Sequence, residues 1–289
     1  MNWKKAVLAG LENQFKCSIE LISTSAVSGG DINEAYILET SSGDFFVKKN
    51  SASRYPEMFE KEARGLKVLA DAKEISIPEV VFFGEENDVA FLVLKFINSI
   101  SKQDHFWDEF AKRLAQLHKH SAGQFGLDHD NYIGSLYQSN RYHNKWTDFF
   151  REERLNAQVK LARDNDAIKR ETVQAFERFY KRLDEIFPVE PPALLHGDLW
   201  GGNFMVNEKG EATIIDPAVY FGHREMDLGM SQLFGGFNPQ FYVAYNRHFP
   251  LEKGWQQRID YCNLYPLMVH VNIFGGGYLN SVNSILNRF

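Results

Sequence analysis

The segment Leu195-His196-Gly197-Asp198-Leu199-Trp200-Gly201-Gly202-Asn203-Phe204, followed by Ile215-Asp216-Pro217, gathers the residue types that phosphoryl transfer requires. That chemistry needs one carboxylate to orient or deprotonate an acceptor hydroxyl. It also needs an oxygen ligand and a second carboxylate to hold Mg²⁺ on nucleotide phosphates. Asp198, then Asn203, then Asp216 supply these groups in that order. The spacing places Asp198 and Asn203 on one tight loop, and a hairpin over 204–215 returns Asp216 beside Asn203. Singly, each of the three reads as a turn cap or a residue before a kink; together, in this order, they read as a site.

The upstream half fits the same chemistry. A cation is needed on the α- and β-phosphates, held by a carboxylate on a helix. Lys48 follows the strand residues Phe45-Phe46-Val47, and Glu62 lies on the next helix. Lys49 and Glu60 are competing neighbours. Strand alternation puts Lys48 and Lys49 on opposite faces, so only one points inward, and the pattern favours Lys48. Ser28-Gly29-Gly30-Asp31 reads as a loop over the phosphates, since glycines let backbone N–H groups approach closely. No Gly-Lys dipeptide, H-E-x-x-H or G-x-S-x-G occurs, which excludes a P-loop NTPase and the corresponding metalloprotease and hydrolase sites. His118 falls on the apolar stripe of a helix and reads as a buried histidine rather than a metal ligand. The charged run 151–171 reads as a solvated helix face.

The elements that must position these residues divide by texture. Residues 1–97 read as mostly strand with one helix, and residues 98–289 as mostly helix interrupted by short apolar strands. Ala35–Thr40 and Asp44–Lys48 flank a Ser-Ser-Gly turn as a hairpin, Met58–Leu69 is helical, and Val80–Gly84 and Ala90–Phe96 are further strands. Ala193-Leu194-Leu195 is a short strand entering the polar loop. Phe204-Met205-Val206 and Thr213-Ile214-Ile215 form a second hairpin, and the rest is helical to Phe289.

The chain has 289 residues, 44% hydrophobic and 24% charged, with 24 phenylalanines, which is enough to bury an aromatic-rich core. Its net charge of −6, 32 basic minus 38 acidic residues, disfavours nucleic acid as a partner. Cys17 and Cys262 alone make neither a disulfide framework nor a four-sulfur metal site. There is no membrane span and no signal peptide, so a cytoplasmic monomer is expected.

These residues resemble the fructosamine kinase (ketosamine-3-kinase) family, within the aminoglycoside phosphotransferase and protein-kinase-like superfamily. The superfamily signal is His196-Gly197-Asp198, Asn203, Asp216 and Arg224-Glu225-Met226-Asp227-Leu228. The family signal adds Trp200 and three further motifs: Gly29-Gly30-Asp31-Ile32-Asn33, the run from Phe125 to Gly134, and Phe274-Gly275-Gly276-Gly277-Tyr278. The resemblance implies an α+β, protein-kinase-like two-lobed fold, with a β-rich N-lobe (1–97) and a mainly helical C-lobe (98–289). It implies ATP and Mg²⁺, with γ-phosphoryl transfer to the 3-hydroxyl of a ketosamine or glycated amine. The product is unstable and releases the amine, so the reaction reverses glycation.

By the same resemblance, Asp198 is the catalytic base, Asn203 and Asp216 hold Mg²⁺, and Gly29, Gly30, Lys48 and Glu62 serve the phosphates. Leu94, Lys95 and Phe96 form the adenine hinge, Trp200 and His196 contact the acceptor, and Asp227 supports the catalytic loop. Relatives carry a cysteine in the Gly-rich loop that supports redox-sensitive dimerisation; Asp31 stands there in this chain, which removes that thiol. A kinase of another small alcohol (an aminoglycoside, choline or a sugar) is the second reading. A nucleotide-binding pseudokinase is the third, and the presence of every catalytic group disfavours it.

Overall fold

The computed structural model describes residues 3–27 and 32–289. It divides into two compact units: residues 1–103 with 205–215, and residues 104–204 with 216–289.

The first unit begins with helix α1 (Trp3–Phe15), strands β1 (Leu21–Val27), β2 (Glu34–Thr40) and β3 (Gly43–Ser51), helix α2 (Met58–Ala72), and strands β4 (Val80–Glu86) and β5 (Val89–Lys95). The strands form one antiparallel sheet in the order β1-β2-β3-β5-β4. The β2–β3 turn is closed locally: the Thr40 hydroxyl donates to Gly43 O at 2.7 Å and accepts from Ser42 N at 3.2 Å. Alternation then sorts the side chains. Leu38, Phe45, Val47 and Val93 pack with Val7 and Leu11 of α1 on one face. On the other face, Phe46 joins Leu92, Leu94 and the α2 residues Phe59, Ala63 and Leu66. Each such buried side chain stabilises by roughly 1.5–3 kcal/mol.

The second unit opens with α3 (Phe106–Leu117), the short pair β6 (Asn131–Ile133) and β7 (Leu136–Gln138), and α4 (Trp146–Phe149). A π-helical turn, Phe150–Asn156, runs on into α5 (Ala157–Asp164), then α6 (Arg170–Tyr180) and α7 (Leu183–Ile186). Strands β8 (Ala193–Leu195) and β11 (Tyr220–Gly222) follow; between them in the chain, β9 (Phe204–Val206) and β10 (Ala212–Ile214) fall, from residue 205 on, with the first unit. The chain ends with α8 (Glu225–Leu233), α9 (Pro239–His248), α10 (Trp255–Cys262), α11 (Leu264–Phe274) and α12 (Tyr278–Leu286). An aromatic-rich core joins α4, α6, α11 and α12 through Trp146, Phe150, Phe176, Phe179, Met268 and Leu286. Among the described residues, no helix is long and apolar enough to cross a membrane.

Four local readings change. The helix ending at Pro188 is two pieces, α6 and α7, and β1 and the β6–β7 pair are additional strands. The charged run from 151 is not a uniformly solvated face: Glu153 and Arg154 of the π-helical turn are buried. The hairpin 205–215 groups with the first unit rather than with its sequence neighbours. Thr213 bridges to Ser76, Ile100 N donates to Val206 O at 3.0 Å, and the Asn98 amide donates to Glu208.

Candidate active site

In the second unit the catalytic loop leaves β8, whose Leu195 pairs with Tyr220 of β11. Gly197 has φ +84°, and a Cβ there would stand 2.0 Å from Ala218 O, so only glycine lets the two segments meet this closely. Their contact is closed by Ala218 N donating to His196 O at 2.9 Å. From the first turn of α8, Asp227 accepts the backbone N–H groups of His196 and Gly197 at 2.8 and 2.9 Å. Burial pushes the Asp227 carboxyl up, but the His118 hydrogen bond and the Gly197 N–H outweigh it and hold the pKa below the usual carboxylate value. His118 lies between Asp227, 3.2 Å from Nε2, and the Tyr245 hydroxyl, 2.7 Å from Nδ1. It is thus a satisfied buried histidine, as its place on the apolar stripe implies.

Asn203 donates its side-chain amide to Asp198 O at 2.8 Å and to Asp198 Oδ2 at 3.1 Å, which turns its own Oδ1 away as an oxygen ligand. Part of Asp198 meets solvent, yet its carboxyl lies deep enough that desolvation, with the nearby Asp216 charge second, pushes its pKa up to about 7. Asp216 is exposed and sits in the left-handed region at φ 55°, a conformation that costs a non-glycine residue roughly 1–2 kcal/mol. Strain of this kind persists only where the surroundings enforce it.

His196 takes a different place from the acceptor contact expected of it. It is fully buried, and its Nδ1 accepts the Asp198 N–H at 3.2 Å, so it shapes the loop from inside. Trp200 is 37% exposed and lies over Gly202, where a Cβ would meet the indole at 2.4 Å. The indole packs edge-on to Phe234 at 6.1 Å, and Phe234 lies 4.5 Å from the His270 ring. His270 in turn neighbours Tyr278 at 4.9 Å and half-exposed Phe274 at 5.4 Å. Sequence reasoning missed Phe234 and His270, although the Phe274–Tyr278 motif marked the same edge.

The first unit carries its own part. Lys48 Nζ meets both carboxylate oxygens of Glu62 at 2.8 and 2.9 Å, nearly buried, while Lys49 turns to the exposed Glu34. At the end of β5, Leu94 is in the core, and the N–H groups of Lys95 and Phe96 are committed to Glu79 O and Asp44 O. Gly29 and Gly30, with the rest of the loop 28–31, lie outside the described residues.

The fold is α+β and protein-kinase-like, with a β-sheet unit and a mainly helical one. A thermostable mutant of aminoglycoside phosphotransferase APH(4)-Ia, in a ternary complex with AMP-PNP and hygromycin B, superposes with a TM-score of 0.64 over 98% of each chain. At 15% identity that likeness speaks for the fold alone. A candidate fructosamine-3-kinase from Haemophilus somnus superposes with a TM-score of 0.89 and 28% identity over 99% of this chain and 97% of that one. Among curated proteins, a probable ketoamine kinase of Enterococcus faecium is 39% identical over 267 residues, 91% of this chain and 94% of its own. The chloroplastic protein-ribulosamine 3-kinase of Arabidopsis thaliana is 37% identical, over 93% of this chain and 83% of its own. The family model described as fructosamine kinase matches residues 3–289. This chain belongs to the fructosamine kinase family and is an ATP-dependent kinase.

Proposed function

We propose that this chain transfers the γ-phosphoryl group of ATP to the 3-hydroxyl of a ketosamine, with Asp198 as the group that takes or orients the hydroxyl proton. The acceptor class follows from the family. The 3-position is the one for which the plant protein-ribulosamine 3-kinase is named. The observation that carries the residue assignment is the Asp198–Asn203 pair on a loop whose backbone is pinned by Asp227. Phosphoryl transfer leaves the protein little covalent work, so positioning and charge do most of it.

Asn203 Oδ1 and the Asp216 carboxylate are hard oxygen donors that suit Mg²⁺, which keeps several waters and takes few protein ligands. Asp216 also stands close enough to raise the Asp198 pKa, a repulsion that a bound cation relieves. When bound there, Mg²⁺ neutralises charge developing on the phosphates. In the first unit, Lys48, fixed by Glu62, is a cation suited to nucleotide phosphates. Asp198 accepts the hydroxyl hydrogen bond and points the oxygen at phosphorus. Trp200, Phe234, His270 and Tyr278 offer faces on which the apolar side of a sugar stacks.

The test is a panel of fructose-, ribulose- and erythrulose-amine adducts incubated with ATP and Mg²⁺ and read by mass spectrometry. Gain of one phosphate on a ketosamine, with none on aminoglycosides or choline, is the expected outcome. Phosphate on an aminoglycoside alone would overturn the acceptor assignment.

A further inference from the structure

The motif running from Phe125 to Gly134 has no part in the site as described, yet its buried end leads back to the Asp216 segment. Asn131, Gln138 and Asn140 are buried amides on and beside the β6–β7 pair, and with Arg154 and Tyr265 they form a directional hydrogen-bond chain. Arg154 is a donor only. Its guanidinium donates to Ser139 O and to Asn140 Oδ1, both at 2.7 Å. The Asn140 amide nitrogen must therefore donate, and it does, to His129 O at 3.0 Å and Asn131 Oδ1 at 3.1 Å. Asn131 Oδ1 also accepts from Gln138 at 2.7 Å, so the Asn131 amide nitrogen faces the other way and donates to Val219 O at 2.8 Å. The Gln138 nitrogen reaches Ala218 O at 3.2 Å, and its oxygen accepts the Tyr265 hydroxyl at 2.6 Å.

A donor stands at each end, and every amide between them has one orientation that closes the chain. The output is two hydrogen bonds onto consecutive carbonyls, Ala218 and Val219, just after the strained Asp216-Pro217 step. Arg154 is fully buried, and among the described residues its guanidinium bonds to carbonyl and amide oxygens rather than to a carboxylate; it lies 4.0 Å from the Tyr220 ring centre and 4.5 Å from that of Phe149. Burying a cation this way is costly unless its hydrogen bonds are well made. Of the side-chain polar atoms in this network, Arg154 Nε alone lacks a partner among the described residues, and the bonds the others make favour one arrangement.

We propose that Arg154, Asn140, Asn131, Gln138 and Tyr265 are positioning residues that hold the 216–219 segment in the one conformation that presents Asp216 to Mg²⁺. The proposal rests on the Mg²⁺ assignment of Asn203 and Asp216 above. The π-helical turn serves it by bringing the Arg154 fork inward. The carboxylate is thereby set in advance rather than gathered when nucleotide arrives.

Gln138→Met keeps the shape and removes both hydrogen-bonding atoms; Tyr265→Phe removes one hydroxyl. Thr172→Val, which removes a hydroxyl bonded to Asn283 elsewhere in the second unit, is the control. AMP-PNP binding is measured by calorimetry with Mg²⁺ and with EDTA, alongside kcat, ketosamine KM and the half-saturating Mg²⁺ concentration. For Gln138→Met, affinity in EDTA should stay within about twofold, while the Mg²⁺-dependent gain and kcat each fall about 10-fold, as for second-layer partners of metal ligands. Tyr265→Phe should move the same quantities in the same direction by less, and Thr172→Val should move none. Both variants keeping the Mg²⁺ gain and kcat of the parent would overturn the proposal alone. If Gln138→Met does not fold, Tyr265→Phe decides by the same criteria. A parent protein whose AMP-PNP affinity ignores Mg²⁺ would overturn the Mg²⁺ assignment, and this proposal with it.

Discussion

Asp198 stands where a small change in chemistry leaves shape untouched. Asp198→Asn keeps the size and the Asn203 contact but removes the proton acceptor. We expect kcat to fall about 10²–10⁴-fold, the usual contribution of a general base, with ATP affinity little changed. Steady-state kinetics with nucleotide titration checks this, and a loss under about tenfold would reassign the residue. The lysine pair separates in the same way. Lys48→Met removes one partner of a nearly buried ion pair, a change that costs about 3–5 kcal/mol. Activity should drop sharply and the thermal midpoint with it. Lys49→Met breaks a pair whose acid is 63% exposed, and should change either quantity little. Equal sensitivity of the two variants would contradict the register of β3.

At the scale of elements, the β8–β11 pairing and the loop beyond it depend on the absence of a side chain at Gly197. Gly197→Ala adds a left-handed backbone penalty to a clash with Ala218 O, and we expect a loss of about 2 kcal/mol or more by urea unfolding. A variant as stable as the parent would mean that the two segments part easily. The hairpins of residues 34–51 and 204–214 were legible because each shows apolar strands around a turn cluster. Alternation set Lys48 and Lys49 on opposite faces, and the fold shows which of them meets Glu62. The polar edge strand β1, Leu-Ile-Ser-Thr-Ser-Ala-Val, lacks that contrast, and the three-residue strands β6 and β7 are too short to carry a period. The π-helical turn was misread because Arg154 is compensated by carbonyls and by aromatic rings, Tyr220 and Tyr265 among them, that only the fold brings close. His196 was placed at the acceptor by its motif, whereas the inward turn of its ring is a property of the loop.

Across the whole molecule, buried titratable groups set how stability follows pH. Fully buried His223 has its pKa lowered, chiefly by desolvation, and so does His270. A lowered histidine contributes stability that is complete above its unfolded value, about 6.5, and is lost as pH falls below it. Asp227, Glu153 and Glu190 are also lowered: burial pushes each up, and hydrogen-bonded partners, Arg224 for Glu190, outweigh it. Their contribution is complete above the unfolded carboxylate values of about 4 and is lost in more acid solution. Asp198 has the opposite sign: its carboxyl, pushed up to about 7, is protonated first in the folded state, which favours the fold as pH falls from about 7 towards 4. In Asp198→Asn, which removes that opposing group, urea midpoints should therefore be level from pH 8 to about 6.5, decline gently below that, and fall steeply below about pH 4. A midpoint of that variant that rises on acidification from pH 7 to 5 would have the wrong sign for His223 and His270.

The assignment of residues 205–215 to the first unit has a consequence for synthesis on the ribosome. The chain emerges N-terminus first, at about 5–20 residues per second. Residues 1–103 are complete long before Thr213 exists to bridge Ser76, or Val206 to accept from Ile100. For on the order of ten seconds the first unit waits for its last hairpin while much of the second unit is being made. The two units thus mature in overlap rather than in turn, and a chain stalled between residues 103 and 205 has begun both and finished neither.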